Sequence, residues 1–377
     1  MGASPPRGVH LSEVQKSLLE QAAKDQVIQT QLKLRLNGEQ ETRLVQWLWN
    51  LTGVWNWAIK KIENDARDSI YYSPKVFQNL LAGHGEKMEI PSHTLQGILS
   101  QAHLAWSRCF KKTAKKPHLK GARNKLSSIP FPDPIKPAIG THISLPGMGK
   151  LRFHKQDIPA GQIKCGRIIK RSSGWYLCLF IEADREKIVR SGDGVVGIDP
   201  GFKNLITLST GEKVPHPREA EKTEQRLAQA QRGHDKHLAA RLQERRANQV
   251  KDRNHKLSLR LVRENKFIAF SGDNHKGVAK LFGKSVSSSA HYQLRQMLTY
   301  KSRSGGTEYV ETDPPFSTMT CSDCGALTGP HGLGGLAVRN WVCSACGALH
   351  DRDGNAAINT LNSGLGISHE VLCATGS

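Results

Sequence analysis

Two short segments, CSDC at 321–324 and CSAC at 343–346, constrain this chain more than any other part of it. Each places two thiols across a tight turn, and the 18 residues between the pairs let both turns close on one ion. Cys321, Cys324, Cys343 and Cys346 are therefore read as a tetrahedral zinc site. Four soft protein ligands leave no open position, so the zinc is structural. A redox pair or two disulfides are the competing uses of the same residues. Cys109, Cys165, Cys178 and Cys373 are scattered, which suits a metal pattern better than a disulfide framework.

The chain of 377 residues has room for two or three domains. Its 54 Lys and Arg against 33 Asp and Glu give a formal charge of +21, spread along the length, which is the footprint of a polyanionic partner. No stretch approaches the roughly 20 apolar residues of a membrane span, and the first 21 residues lack a signal-peptide core. A soluble intracellular protein without a membrane partner is expected.

Residues 28–36 alternate as a half-exposed strand, closed by Asn37-Gly38. Leu44, Leu48, Leu51, Trp55 and Ile59 then mark one apolar face of a helix over 39–62, with Trp47, Trp49 and Trp57 beside it as core aromatics. A second helix over 92–116 starts at Ser92 as N-cap. Its end is basic: Arg108, Lys111, Lys112, Lys115, Lys116, Lys120, Arg123 and Lys125 have no acidic residue among them, which suits a loop laid along phosphates. Strands at 150–154, 162–171 and 175–183 form an antiparallel module, and 189–194 reads as a linker.

The next domain opens with VVGIDPGFKNLITLSTG (195–211), a buried strand ending at Asp199. A charged helical hairpin (218–265), a strand KFIAF (266–270), a serine-capped helix (287–302) and a strand TEYVETD (307–313) follow. After the second cysteine pair, HDRDGNAAINT (350–360) puts Asp351 and Asp353 at a helix N-terminus. With Asp199 they suggest a divided carboxylate site of the kind used in two-metal phosphodiester cleavage.

VVGIDPGFKNLITLSTGEK, HKLSLRLVREN, VETDPPFSTMTCSDCG, WVCSACGALHDRDGNAAINT and the N-terminal QLKLRLNGEQETRLVQWLWNLTGVWNWAIKK together resemble the TnpB family, transposon-encoded RNA-guided nucleases related to type V CRISPR effectors. The resemblance runs from about residue 28 to 362. It implies an α/β plus β fold: an RNase H-like RuvC domain with an inserted zinc ribbon, preceded by a wedge-like β-barrel carrying a helical recognition insertion. The corresponding boundaries are an N-terminal segment 1–27, the barrel at 28–190 with its insertion at about 39–125, the RuvC domain at 191–362 with the ribbon at about 315–350, and a tail at 363–377. It also implies a guide RNA cut from the element's own transcript, a target double-stranded DNA read beside a short adjacent motif, one protein per guide, and a bacterial cytoplasmic location at the nucleoid.

Family members use Asp, Glu and Asp around two Mg²⁺ ions. The resemblance assigns Asp199 to the first position and Asp353 to the last, with Asp351 as the fallback. The middle glutamate falls on Ser271 in IAFSGDNHKG (268–277), and serine cannot supply the charge. Glu311, Asp313 and Asp273 are the candidates to restore it, and Glu311 is the expected one, giving Asp199, Glu311 and Asp353 as catalytic Mg²⁺ ligands. The alternative is a nuclease-inactive guided DNA-binding protein acting as a repressor.

Overall fold

The structure is a computed structural model describing residues 27–122, 124–183, 187–201, 203–216, 219–272, 290–312, 316–335 and 337–366. The chain divides into two compact units, Met1–Arg185 and Glu186–Ser377.

In the first unit, strand β1 (Val27–Arg35) runs into helix α1 (Gly38–Arg67). Asn37 Oδ1 accepts from Gln40 N at 2.8 Å while Gln40 Oε1 accepts from Asn37 N at 3.2 Å, a reciprocal cap that starts the helix. The helix runs past the expected 62 because Asp65 is held by Lys61 (2.8 Å) and by the Tyr72 hydroxyl (2.6 Å). Short helices α2 (Pro74–Gln78) and α3 (His84–Met88) lead to α4 (Ser92–Phe110). Pro91, not Ser92, occupies the N-cap of α4, without a side-chain hydrogen bond. The helix stops at Phe110 and not 116, with Lys112 in the left-handed region at φ 57°.

Strands β2 (Ser128–Phe131), β3 (His142–Leu145), β4 (Gly149–Phe153), β5 (Gln162–Arg171) and β6 (Gly174–Glu182) join β1 in a six-stranded antiparallel sheet of order β2-β5-β6-β1-β4-β3. Its end strands β2 and β3 are not hydrogen-bonded to each other among the described residues. Leu44, Leu51, Ile59, Leu95 and Ile98 from the helices share one core with Leu32, Leu151, Leu177 and Leu179 from the sheet. Trp47 is buried in it, whereas Trp49 (51% exposed) and Trp57 (37%) are not core residues as expected.

The second unit opens with β7 (Gly194–Pro200), β8 (Asn204–Leu208) and β9 (Lys213–Pro215), an antiparallel meander. Helices α5 (Glu219–Arg232) and α6 (Lys236–Glu264) form the expected hairpin, but the end of α6 is core: Leu257, Leu261 and Val262 are buried. β10 (Asn265–Ser271) follows, then α7 (His291–Gly305) and β11 (Glu308–Thr312). Ala290 caps α7 without a side-chain bond, and Ser287–Ser289 lie outside the described residues. A short helix α8 (Gly332–Gly335), the ladder β12 (Asn340–Val342) and β13 (Leu349–Asp351), and helix α9 (Arg352–Leu365) complete the unit.

The five-stranded order is β11-β10-β7-β8-β9, with β10 and β11 parallel to β7. One sheet face presents Val196, Ile198, Ile268 and Phe270 to Leu257 and Leu261 of α6 and to Leu294 and Leu298 of α7. By the period of two, the other face carries Gly197, Asp199, Ala269 and Ser271, and α9 packs there. A Cβ on Gly197 would stand 2.1 Å from Ala357 O and 2.8 Å from the Leu361 side chain, and one on Gly364 would stand 2.6 Å from Ala269 Cβ.

Gly197→Ala is therefore expected to destabilise this unit by about 1–3 kcal/mol or more. Gly53→Ala, in the middle of α1 with open space around it, is expected to stabilise by about 0.5–1 kcal/mol. Thermal unfolding followed by circular dichroism checks both signs.

Candidate functional site

The two cysteine turns are built alike. Gly325 N donates to Cys321 O and Gly347 N to Cys343 O, both at 2.9 Å, while Cys321 N and Cys343 N donate to Ala326 O and Ala348 O. Each turn needs its glycine, since Gly325 (φ 78°) and Gly347 (φ 76°) are left-handed. The four Sγ atoms lie within 4.8 Å of one another. Cys321 to Cys346 and Cys324 to Cys343 both measure 3.7 Å, against about 3.8 Å for the edge of a tetrahedron with Zn–S bonds of 2.3 Å. A disulfide at about 2.05 Å is excluded by those separations, and the donor set fits zinc. Burial pushes the Cys321 thiol up, whereas the Thr328 hydroxyl, donating to Cys343 Sγ at 3.1 Å, pulls that thiol down.

Helix α9 crosses β7 and β10. Ala357 and Leu361 lie against Gly197, while Gly364 lies against Phe267 and Ala269, the residue paired with Gly197 on the neighbouring strand. One turn before Ala357 stands Asp353, two residues after Asp351, which bonds Lys213 in the row that runs through Thr207 to Asp199. Asp353 is 3.7 Å from Arg339, and its side chain is 21% exposed. Asp351 is otherwise occupied: its Oδ1 caps Gly354 N at 2.9 Å, and its Oδ2 takes Lys213 Nζ at 2.6 Å. Burial opposes ionisation of Asp351, yet Lys213 and the Gly354 N–H hold its carboxyl below the usual range.

The parallel register pairs Ile198 with Phe270, Phe270 with Glu311, and Ser271 with Thr312. Continuing it by one residue sets Asp199 across from Ser271, so Asp199, Ser271 and Thr312 form one row. Ser271 is only 4% exposed. Thr312 confirms the face, with its hydroxyl directed at Thr360 O of α9 at 3.5 Å.

Glu311 does not join this row, which corrects the expectation for it. It belongs to the Phe270 row on the opposite face, where Arg295 of α7 forms an ion pair with it and the Tyr309 hydroxyl donates to it at 3.1 Å. Burial and then the Glu311 charge push the Tyr309 phenol up. Adjacency of β10 and β11 was correct, but a one-residue step along a strand reverses the side of the sheet. Asp273 and Asp313 lie outside the described residues.

In the first unit the basic segment is laid along α1. Asn56 holds Lys120 from both sides, Nδ2 donating to Lys120 O at 2.7 Å and Oδ1 accepting from Lys120 N at 2.8 Å. Trp55 Nε1 donates to His118 O at 3.2 Å, and the Thr52 hydroxyl accepts from Leu126 N at 3.2 Å. Lys120 and Lys125 lie 5.7 Å over the rings of Trp55 and Trp49. Lys116 pairs with Glu63 at 2.6 Å, while Lys111, Lys112 and Lys115 are exposed.

Sequence reasoning missed Lys213 and Arg339 beside the aspartates, and Asn355 and Asn359 on α9. The four-residue spacing in NAAIN was the available signal for the last two.

Two family models match: "Probable transposase" over residues 179–272 and "Cas12f1-like, TNB domain" over 291–360. The "Putative RNA-guided DNA endonuclease" of Streptomyces pristinaespiralis is 31% identical over 300 residues, 74% of this chain and 73% of that protein. The "Putative RNA-guided DNA endonuclease InsQ" of Escherichia coli K12 is 24% identical over 313 residues, 75% of this chain and 76% of that protein. Among solved structures, the cryo-EM structure of the Cas12f1-sgRNA-target DNA complex has a chain of like fold, with a TM-score of 0.54 at 13% identity, covering 93% of this chain and 87% of that one. With its zinc knuckles and DRDGNAAIN helix in the order those motifs take, the chain belongs to the TnpB family.

Proposed function

We propose that this protein is an RNA-guided DNA endonuclease that binds duplex DNA beside a short adjacent motif and hydrolyses it at a RuvC-type centre holding Asp199 and Asp353. The observation that carries the reading is the bond from Lys213 to Asp351 at the start of α9, because Lys213 pairs with Thr207 and Thr207 with Asp199 across β9, β8 and β7, and this supports a site shared by Asp199 and Asp353. The strand order β11-β10-β7-β8-β9, with three antiparallel strands followed by two parallel ones, supports an RNase H-type sheet. The names of the two relatives at 31% and 24% identity support the activity and the two nucleic-acid partners.

Asp199 and Asp353 are hard oxygen donors that fit Mg²⁺. When bound, a divalent pair supplies an activated water and a stabilised leaving oxygen. Asp351, tied to Lys213, caps the helix and fixes its first turn. The third carboxylate comes from Asp273 or Asp313, the acidic residues next in sequence to Ser271 and Thr312. The basic segment along α1 tracks phosphates without reading bases, as delegation of sequence choice to a guide requires.

A second reading, guided DNA binding without cutting, is favoured by Ser271 in the carboxylate row and Glu311 on the opposite face. Purified protein with its RNA, matched duplex and Mg²⁺ separates the two. The endonuclease reading expects cleavage by wild type, a loss on the order of 100-fold or more in Asp199→Asn and in one of Asp273→Asn and Asp313→Asn, and little change in Glu311→Gln. RNA-dependent binding without cleavage, with cutting created by Ser271→Glu, establishes the second reading instead.

Replacing Lys112 and Lys115 by alanine is expected to reduce the slope of log K against log salt by about 0.7–0.9 per lysine, without changing target preference. Titrations at several salt concentrations, with matched and mismatched targets, check this.

A further inference from the structure

The first zinc knuckle and the first turns of α9 are joined at a single peptide segment. Asn355 Nδ2 donates to Ser317 O at 3.2 Å and to Thr320 O at 2.7 Å. Asn359 Nδ2, one turn on, donates to the same two carbonyls at 2.8 and 2.7 Å. Asn355 Oδ1 accepts from Ser322 N at 2.9 Å. Asn355 thus grips the residues on both sides of Cys321, and both asparagines are buried, at 2% and 4% exposure.

Cys321 is also approached from the strand that precedes the helix. His350 Nε2 lies 3.0 Å from Cys321 Sγ, at hydrogen-bond distance for an imidazole N–H facing a thiolate. The His350 ring packs against Trp341 with centroids 4.7 Å apart. His350 is the residue before the helix cap Asp351, so the chain passes from a zinc ligand's partner to Asp353 and on to Asn355 within six residues.

Docking α9 on the sheet does not call for this clamp. Gly197 and Gly364 already set the separation of helix and sheet, and apolar contacts there are tolerant of small slides and rotations. Two buried amides bonded to the same pair of carbonyls are not tolerant, because each lost bond strands a polar group. Their acceptors are fixed in turn by the ion at Cys321.

We propose that Asn355 and Asn359 are positioning residues through which zinc at Cys321 sets the first turn of α9, and with it Asp353, so that zinc occupancy is coupled to divalent-ion affinity at the proposed nuclease centre. The second half of this inference rests on the reading of Asp199 and Asp353 as metal ligands. Such coupling is reciprocal, with typical magnitudes of about 5–150-fold. Removing zinc frees the 317–322 segment, and the amides lose their fixed partners. The middle of α9 stays docked through Gly197, so the change is local to its first turn.

The test uses the full-length chain, zinc-loaded and chelator-stripped, as wild type, as Asn355→Ser with Asn359→Ala, and as Asn355→Asp. Asn355→Asp keeps the acceptor for Ser322 N and deletes the donors, and serves if the double variant does not fold. Amide hydrogen exchange is read at residues 351–357 and in β7 and β10, and Mn²⁺ affinity is read by electron paramagnetic resonance. Stripping zinc from wild type is expected to speed exchange in 351–357 about tenfold, to leave β7 and β10 protected, and to weaken Mn²⁺ binding about fivefold or more. The zinc-loaded variants should already exchange like stripped wild type, and their Mn²⁺ affinity should be indifferent to zinc.

Exchange in 351–357 that ignores zinc in wild type, or zinc-loaded variants that exchange like wild type, overturns the proposal. An intact exchange response without Mn²⁺ binding to zinc-loaded wild type supports the clamp and rejects Asp199 and Asp353 as the metal site.

Discussion

The second unit depends on the close approach of one helix backbone to one strand backbone. Where Gly197 faces Ala357 O, there is no room for a side chain, so α9 lies nearer the sheet than a helix resting on ordinary side chains. Gly364 repeats the arrangement against Ala269 on the neighbouring strand. Two such points fix the line of the helix across β7 and β10. That line fixes the middle of the helix, around Ala357 and Leu361, and leaves its first turn, which bears Asp353, to be held by other contacts.

What was legible in the sequence is what local spacing encodes. The cysteine pairs state their geometry outright, since two residues between thiols and a glycine after each pair define a zinc knuckle. Asp199 was legible as the polar end of a buried strand, and Asp353 as a carboxylate in the first turn of a helix. The side on which Glu311 falls was not legible. It depends on how β11 is set against β10, and that register is fixed by the crossover through α7 and by Leu294 and Leu298 packing beneath Phe270. No window of residues around 311 carries this information. The caps failed similarly: Ser92 has the right chemistry for an N-cap, but the chain enters α4 one residue earlier, at Pro91. Trp49 and Trp57 sit beside the apolar stripe of α1 and still face outward, because helix α4 and the sheet cover only one side of that helix.

The basic segment illustrates how charge can be organised by neutral groups. Exposed Lys111, Lys112 and Lys115 repel one another and gain little from folding. Its backbone is held all the same, by Asn56, Trp55 and Thr52, whose bonds at 2.7–3.2 Å go to peptide groups and not to the ammonium groups. Lys116 spends its charge on Glu63, and Lys120 and Lys125 lie over the rings of Trp55 and Trp49. A segment ordered before its partner arrives loses less conformational freedom on binding, and its cations remain available to phosphate.

The same pleat argument limits what can complete the carboxylate row. A residue that restores the missing charge from within the sheet must share the parity of Asp199. On β10 that position is Ser271 itself, and on β11 it is Thr312, so the described ladder offers two hydroxyls and no acid. Hydroxyls donate and accept hydrogen bonds but add no charge, and two carboxylates alone neutralise only half the charge of two divalent ions. The parity rule holds as far as Gly272, whose N–H still donates to Thr312 O at 2.6 Å. Asp273 and Asp313, which follow Gly272 and Thr312 in sequence, lie outside the described residues, and the question of cutting against binding turns on them.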